Sequence, residues 1–349
     1  MTRRRAIVVF TLAVAGIGTA SGEAVNAKDL SYRVSPGILH VHRTVAGHAN
    51  FHLLIVDLSA GNARVAATAY SARWDTVSGF ARRSGAVAAV NGGGWSLPFQ
   101  TAHGFVAEGG RVWSKAVVGQ AVFGITGRGR AAIWRPDEAL ARANAEIRTG
   151  IGGRPVLVDR GKLLDGVRLM GLGRDARTVI GVSEDGMTVI IATADGRQRG
   201  SPGATSAEMG MLLVEFGAWR GMNLDGGKSV TMFVASEGGV VNHPVLGRER
   251  EVVSHVGVYA SPAAHSAQLV SVKDTPASFE ARMKQSVAAS DRSIRKMALP
   301  VIVLDSLYIG KLREALFPLL VVLLIGSIAL GLKRLRLRRR RRRMNQFKA

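Results

Sequence analysis

The sequence predicts an α+β fold: a large, mainly antiparallel β-sheet domain with few helices, plus a C-terminal transmembrane helix. Three observations predict it. Glycine accounts for 42 of the 349 residues, and much of it interrupts short Val-rich runs, the pattern of strands joined by tight turns. A single segment carries strong helical periodicity. An uncharged apolar run late in the chain is followed at once by a block of arginine.

Taken in order, residues 1–27 read as a signal peptide. Arg3, Arg4 and Arg5 precede the apolar run Ala6–Ala20, and Val25-Asn26-Ala27 offers small residues for cleavage. That run is short against the roughly 20 apolar residues that span a bilayer. Residues 28–260 then form one domain. Strand-length runs pair across turn residues: Phe51–Leu58 with Ala63–Tyr70, Gly104–Ala107 with Arg111–Ser114, and Ala121–Thr126 with Ala131–Trp134. Pro155–Val158 pairs with Leu163–Leu164, and Thr178–Val182 with Thr188–Thr193. Turn chemistry at this spacing favours antiparallel hairpins.

The helix spans Ser206–Gly217, with Met209, Leu212, Leu213 and Phe216 on one face. Thr205 stands three residues before Glu208, a capping-box arrangement. Gly221–Leu224 reads as a buried strand. A hairpin of Val230–Ala235 with Val240–Asn242 follows, and a last strand, Val252–Tyr259, closes the domain. Residues 261–314, rich in Ala, Ser and isolated charges, read as a stalk. Ala315–Leu332 is the transmembrane helix, and 333–349 the basic tail. The positive-inside rule keeps that tail cytoplasmic. The expectation is a single-pass membrane protein whose main domain is extracytoplasmic.

Composition removes several classes of function. The chain has no cysteine, so a disulfide scaffold, a thiolate metal site and a cysteine nucleophile are excluded. The net charge of +22 suggests nucleic acid until it is located. Ten of the 47 Lys and Arg crowd into residues 333–349 without one acid among them. A juxtamembrane flank of this kind is built for anionic lipid, and nucleic acid is not expected as the partner.

Chemistry-bearing residues gather where apolar strands run into glycine. Asn91-Gly92-Gly93-Gly94-Trp95 follows the strand Ala86–Val90, and Asn223-Leu224-Asp225-Gly226-Gly227 follows the helix–strand unit. Glycines beside a carboxylate or amide let a substrate approach the backbone. A tight turn in which Asp225 bonds its own backbone accounts for the second motif equally well.

The motifs also occur in a telling order. Arg177-Thr178-Val179-Ile180-Gly181 comes first, then Asp185-Gly186, Asp195-Gly196-Arg197, and Gly203-Ala204-Thr205 with Glu208. Asn223 to Gly227, Val241-Asn242-His243-Pro244 and Arg250-Glu251-Val252 complete the series. This set resembles the phosphodiester glycosidase family, densely over 149–259 and more thinly back to Asn91. The resemblance implies a hydrolase that cleaves a sugar-1-phosphodiester linkage. The substrate expected here is a cell-envelope polysaccharide or glycoconjugate, in the exopolysaccharide context of bacterial relatives. The alternative is a catalytically silent, membrane-tethered protein that binds glycan or assists polysaccharide assembly.

In a glycosyl phosphodiester the leaving group is already an acidic phosphate. The site therefore needs donors around the departing phosphate and a carboxylate at the anomeric carbon. Asp225 is the first candidate for that carboxylate. Glu208 is the second, although the capping box also explains it. Arg177, Arg197, Arg250 and Lys228 are candidate phosphate clamps, although Lys228 stands where the family more usually has a small residue. Asn91 and Asn242 would bind sugar hydroxyls, with Asn223, Gly226 and Gly227 beside the substrate and His243 as an acid. No cofactor is required. A divalent cation is compatible with the carboxylates, but no zinc-ligand spacing occurs, and Gly150–Arg154 lacks the Lys-Ser/Thr ending of a nucleotide loop.

The topology has a direct test. Protease added to intact cells should cut within 28–314 while the Arg338–Arg343 tail stays protected; the reverse pattern would invert the orientation.

Overall fold

Burial on alternate sides of single strands sets the layers. In Thr188–Ala194, Val189 and Ile191 join one apolar cluster, whereas Ile190, Ala192 and Ala194 join another. Side chains alternate along a strand, so this one needs packing above and below it. In the computed structural model, which describes residues 28–45, 49–59, 61–96, 101–142, 147–168 and 173–260, it lies centrally in an eight-stranded sheet.

That sheet runs Lys28–Ser35, Ile38–Val45, Ala49–Asp57, Thr188–Ala194, Arg177–Val182, Arg220–Asn223, Val156–Asp159, Lys162–Leu163. A five-stranded sheet is ordered Ala131–Trp134, Ala121–Thr126, Ile147–Gly153, Val106–Glu108, Arg111–Ser114. Another is ordered Gly239–Val240, Met232–Val234, Ala88–Asn91, His255–Ala260, Ala63–Ala67. Trp95–Ser96 and Thr101–Ala102 make a short ribbon. Pairing is antiparallel, as the hairpin spacing predicts.

The main core draws on all three large sheets, with Leu54, Ile180 and Met222 from the first, Phe123 and Ile151 from the second, and Val90 and Val256 from the third. Helices cover the outer faces. Helix α1 (Val77–Ser84) packs Phe80 on Phe233, and α2 (Pro136–Arg142) brings Ala139 to Trp134. Helix α3 (Ser206–Glu215) buries Met209, Leu212 and Leu213 against the far face of the large sheet. Its capping box is complete: Thr205 Oγ1 accepts from Glu208 N, and Glu208 Oε2 accepts from Thr205 N.

Hairpins such as Ala121–Thr126 with Ala131–Trp134 lie where the sequence put them. Other expectations are corrected. The few helices expected are three α-helices among the described residues, of which the sequence marked α3; α1 is short and polar on average but has a Thr76 N-cap and Gly85 at its end. The strand Ala63–Tyr70 stops at Ala67, and Val252–Tyr259 becomes His255–Ala260, because Asp75 bridges Val252 outside the ladder. The opening hairpin of Lys28–Ser35 with Ile38–Val45 was not expected, since its second strand carries His40, His42 and Arg43. Arg43 is fully buried, held bidentately by Asp29 at 2.8 Å and by Glu215 at 2.9 Å. Residues 1–27 and 261–349, the expected leader, stalk, transmembrane helix and tail, lie outside the described residues. No described helix is long and apolar enough to cross a membrane.

His255 generates a prediction about stability. It is buried against Phe80, donates through Nε2 to Asp75 O, and accepts at Nδ1 from Thr68. Burial, with Arg83 nearby, lowers its pKa from 6.5 to about 3. Between those values the unfolded chain takes up a proton that the folded chain refuses, so stability falls as pH drops from 6.5 towards 3. The loss from this group is on the order of 4 kcal/mol. Melting temperature followed from pH 7 to pH 4 should fall, and in His255→Gln the fall should be shallower by about one proton.

Candidate functional site

The site is assembled around Asn91, the last residue of its strand and fully buried. Its Oδ1 accepts from Thr178 Oγ1 at 2.7 Å and from Thr231 N at 3.3 Å. Its Nδ2 donates to Asp225 O at 2.9 Å and to Gly92 O at 3.3 Å. One carboxamide thus joins two sheets and fixes the loop after Arg220–Asn223. Backbone bonds complete the clamp: Asp225 N donates to Gly92 O, Leu224 N to Thr178 O, and Gly227 N to Ala176 O.

Glycine makes this convergence possible. A Cβ on Gly93 would lie 2.5 Å from Gly152 O, and one on Gly153 only 2.2 Å from Asn223 O. Side chains at either position would push the sheets apart. The glycine-rich strand Ile147–Gly153 is therefore a seam where backbone meets backbone.

Two cavities open along the seam, sharing Arg154 and Leu224 in their linings. The larger, about 410 Å³, is lined by Arg154, Arg177, Thr178, Ser206, Asn223 and Gly226 among others. Ser206 is the first residue of α3, so the positive end of that helix faces this space. The smaller, about 270 Å³, is lined by Trp95, His103, Gln120, Arg154 and Asp225 among others. Each has a buried acceptor with no partner among the described residues, Asn223 Oδ1 in the first and Gln120 Oε1 in the second.

Asp225 is half-buried, and desolvation raises its pKa above the ordinary aspartate value. Hydrogen bonds from Ser229 and Gly226 N, and the charges of Arg250 and His103, act in the opposite direction. A carboxyl pushed up by burial and restrained by nearby cations is the kind of group that acid–base and nucleophilic catalysis uses.

The other sequence candidates are placed as follows. Arg177 lines the larger cavity while donating to Ala204 O and Gly173 O. Arg197 makes a two-point ion pair with Asp175, and Gly227, at φ +61, lies against its guanidinium. Arg250 stacks over the Trp95 ring at 4.3 Å. Lys228 is exposed. Asn242 is buried and bonds Met232 N and Val230 O, while His243 is bound to Asp195. Glu208 is fully buried, paired with Arg174 at 2.6 Å as well as capping α3, and lines neither cavity. Among the described residues no three histidine or carboxylate side chains are arranged to hold a metal ion.

Sequence reasoning missed Arg154, His103 and Gln120. Arg154 is exposed, lines both cavities, and has no hydrogen bond or ion pair among the described residues. Its signal was positional: a cation between a glycine-rich strand and Pro155.

The chain matches the phosphodiester glycosidase family over residues 84–259, just over half its length. It belongs to that family. A search of curated proteins returns no match. Solved structures agree with this phosphodiester glycosidase domain in fold. The zebrafish N-acetylglucosamine-1-phosphodiester alpha-N-acetylglucosaminidase catalytic domain, auto-inhibited by its pro-peptide, is 17% identical, with TM-score 0.52 over 68% of this chain and 83% of that one. A hypothetical protein from Synechocystis is 16% identical, with TM-score 0.51 over 68% of this chain and 64% of that one. At these identities the likeness establishes the fold.

Asn91 and Asn242 should separate in this phosphodiester glycosidase domain. Alanine at either strands buried backbone groups and should cost about 3 kcal/mol in a denaturation experiment. Only Asn91→Ala also releases the Asp225 loop, so only it should lower turnover by about 10²-fold. Equal turnover in the two variants would contradict the clamp.

Proposed function

We propose that the protein hydrolyses sugar-1-phosphodiesters, with the sugar in the cavity beside Asp225 and the phosphate in the cavity beside Arg154 and Arg177. The observation that carries this reading is the division of charge. A half-buried carboxylate lines one cavity, two guanidiniums and the start of α3 line the other, and Arg154 stands at their junction. Family membership supports the same class of reaction.

The bond that breaks joins the anomeric carbon to a phosphate oxygen. Phosphate leaves as an anion, which Arg154, Arg177 and the helix dipole stabilise as its charge develops. Little proton donation is needed there. Asp225 acts at the anomeric carbon, adding to it directly or taking a proton from the attacking water. Arg250 and His103 favour its ionised form against the desolvation that raises its pKa. Glu208 positions the phosphate end from behind, by holding the first turn of α3 and binding Arg174. We assign the substrate to a cell-envelope polysaccharide or glycoconjugate and the domain to the outer side of the membrane; the apolar run 315–332 and the basic tail after it support that placement.

The test is sugar release from a panel of sugar-1-phosphodiesters and matching alkyl glycosides. Phosphodiesters should be strongly preferred, and Asp225→Asn should reduce turnover by about 10³-fold or more while leaving the fold intact. Glu208→Gln keeps the cap and should alter melting temperature more than turnover. The acidic limb of the pH–rate profile should lie above the ordinary aspartate pKa. Arg250→Gln removes a charge that favours the carboxylate and should move it higher still. Equal rates on neutral glycosides, or no reaction with any phosphodiester, would refute the assignment.

A further inference from the structure

The smaller cavity ends on an aromatic assembly that a single sugar does not require. Trp95 forms part of its lining, and Trp74 meets Trp95 at 5.1 Å between ring centroids, with the rings 86° apart. Arg250 lies over the Trp95 ring. Both indoles are half-buried, too exposed to serve only as core.

Trp74 is also in an unusual backbone conformation. Its φ is +63°, in the left-handed region that glycine and asparagine enter readily and bulky residues avoid. The chain holds it there from both sides. Arg73 donates to Tyr70 O on one side, and Asp75 exchanges backbone hydrogen bonds with Val252 on the other. Placing the largest side chain where the smallest fits best means that its ring direction matters. Conformations of this kind are retained where the surroundings over-determine them, commonly at ligand sites. Independently, Gln120 lines the same cavity with a buried side chain whose Nε2 is tied to His103 O and whose Oε1, beside Gly104 and Gly152, has no partner among the described residues. A sugar hydroxyl would satisfy that acceptor. Gly104, at φ +110, makes room for it: a Cβ there would meet Gln120 Oε1 itself.

We propose that Trp74, Trp95 and Arg250 form a second sugar subsite, so that the glycone is an oligosaccharide of at least two pyranose units. This rests on the reading that the cavity beside Asp225 holds the sugar. The first ring occupies that cavity, with a hydroxyl donating to Gln120 Oε1. The next ring lays its C–H face on an indole, an apolar surface with little side-chain freedom to lose. Phosphate lies in the larger cavity, which Arg177 lines and Trp95 does not, so the aromatic end recognises the sugar chain and not the aglycone.

Calorimetric titration of the full-length protein with neutral chito- and malto-oligosaccharides of one to four units tests the subsite without needing hydrolysis. Affinity in one series should rise about tenfold or more from one unit to two, and this increment should vanish in Trp74→Gly. Glycine adopts the Trp74 conformation without strain, so the variant should remain folded by circular dichroism; Trp74→Asn provides a second variant with the same tolerance. Length-independent affinity, an increment that survives both variants, or no saturable binding in either series would overturn the subsite. Length-dependent binding without release of sugar from any phosphodiester would leave the subsite standing and refute the reaction.

Discussion

The carboxamide of Asn91 is the interaction on which the rest of the site depends. Both of its ends are occupied, one by groups from the large sheet and from the Met232–Val234 hairpin, the other by the carbonyls of Gly92 and Asp225. Aspartate has the same shape but lacks the two donors, so the Asp225 carbonyl would face a negative charge. The need for a donor and an acceptor at once explains asparagine here better than substrate contact does, since the side chain is spent before any ligand arrives. Asp225 inherits its placement from that bond and its elevated proton affinity from the desolvation that accompanies it.

A second constraint is backbone proximity. Three sheets can share one core only where their strands approach without side chains, and Gly92, Gly93, Gly152 and Gly153 occupy those points. The cavities follow from the seam. Leu224 and Arg154 stand at its edge and are therefore common to both. The close packing that organises the domain thus also leaves the two cavities that open beside Arg177 and Asp225.

Much of this was legible in the sequence. Hairpins announce themselves by turn residues, α3 by its capping box and spacing, and Asp225 by its place between a buried strand and two glycines. Other features were hidden for physical reasons. The Ile38–Val45 strand carries charge because Arg43 is neutralised by residues 14 positions before it and 172 after it in the chain, and local pattern cannot reveal such pairing. The strand Ile147–Gly153 was not expected, although Gly150–Arg154 stands out as glycine-rich, because a strand with three glycines only makes sense once its neighbours are known. Arg154 was overlooked because a lone arginine before proline has no motif; what sets it apart is its place in the linings of both cavities. For Glu208 the sequence leaves two roles open, catalytic carboxylate and capping-box partner, and the structure shows the second. A carboxylate in a family motif invites a catalytic role, whereas its two oxygens are occupied by Thr205 N and Arg174.

The buried Arg43 has a consequence for the edge of the large sheet. One of its two carboxylate partners, Asp29, lies just after the region where the sequence places leader cleavage. Replacing Asp29 would take one carboxylate out of the set that surrounds this buried guanidinium. Losing one member of such a buried set costs about 3–5 kcal/mol, a large share of the stability of an ordinary domain. The first strand is thus fastened to the domain by charge compensation in the interior as well as by its ladder, so the stability of the whole depends on one aspartate near its N-terminal edge.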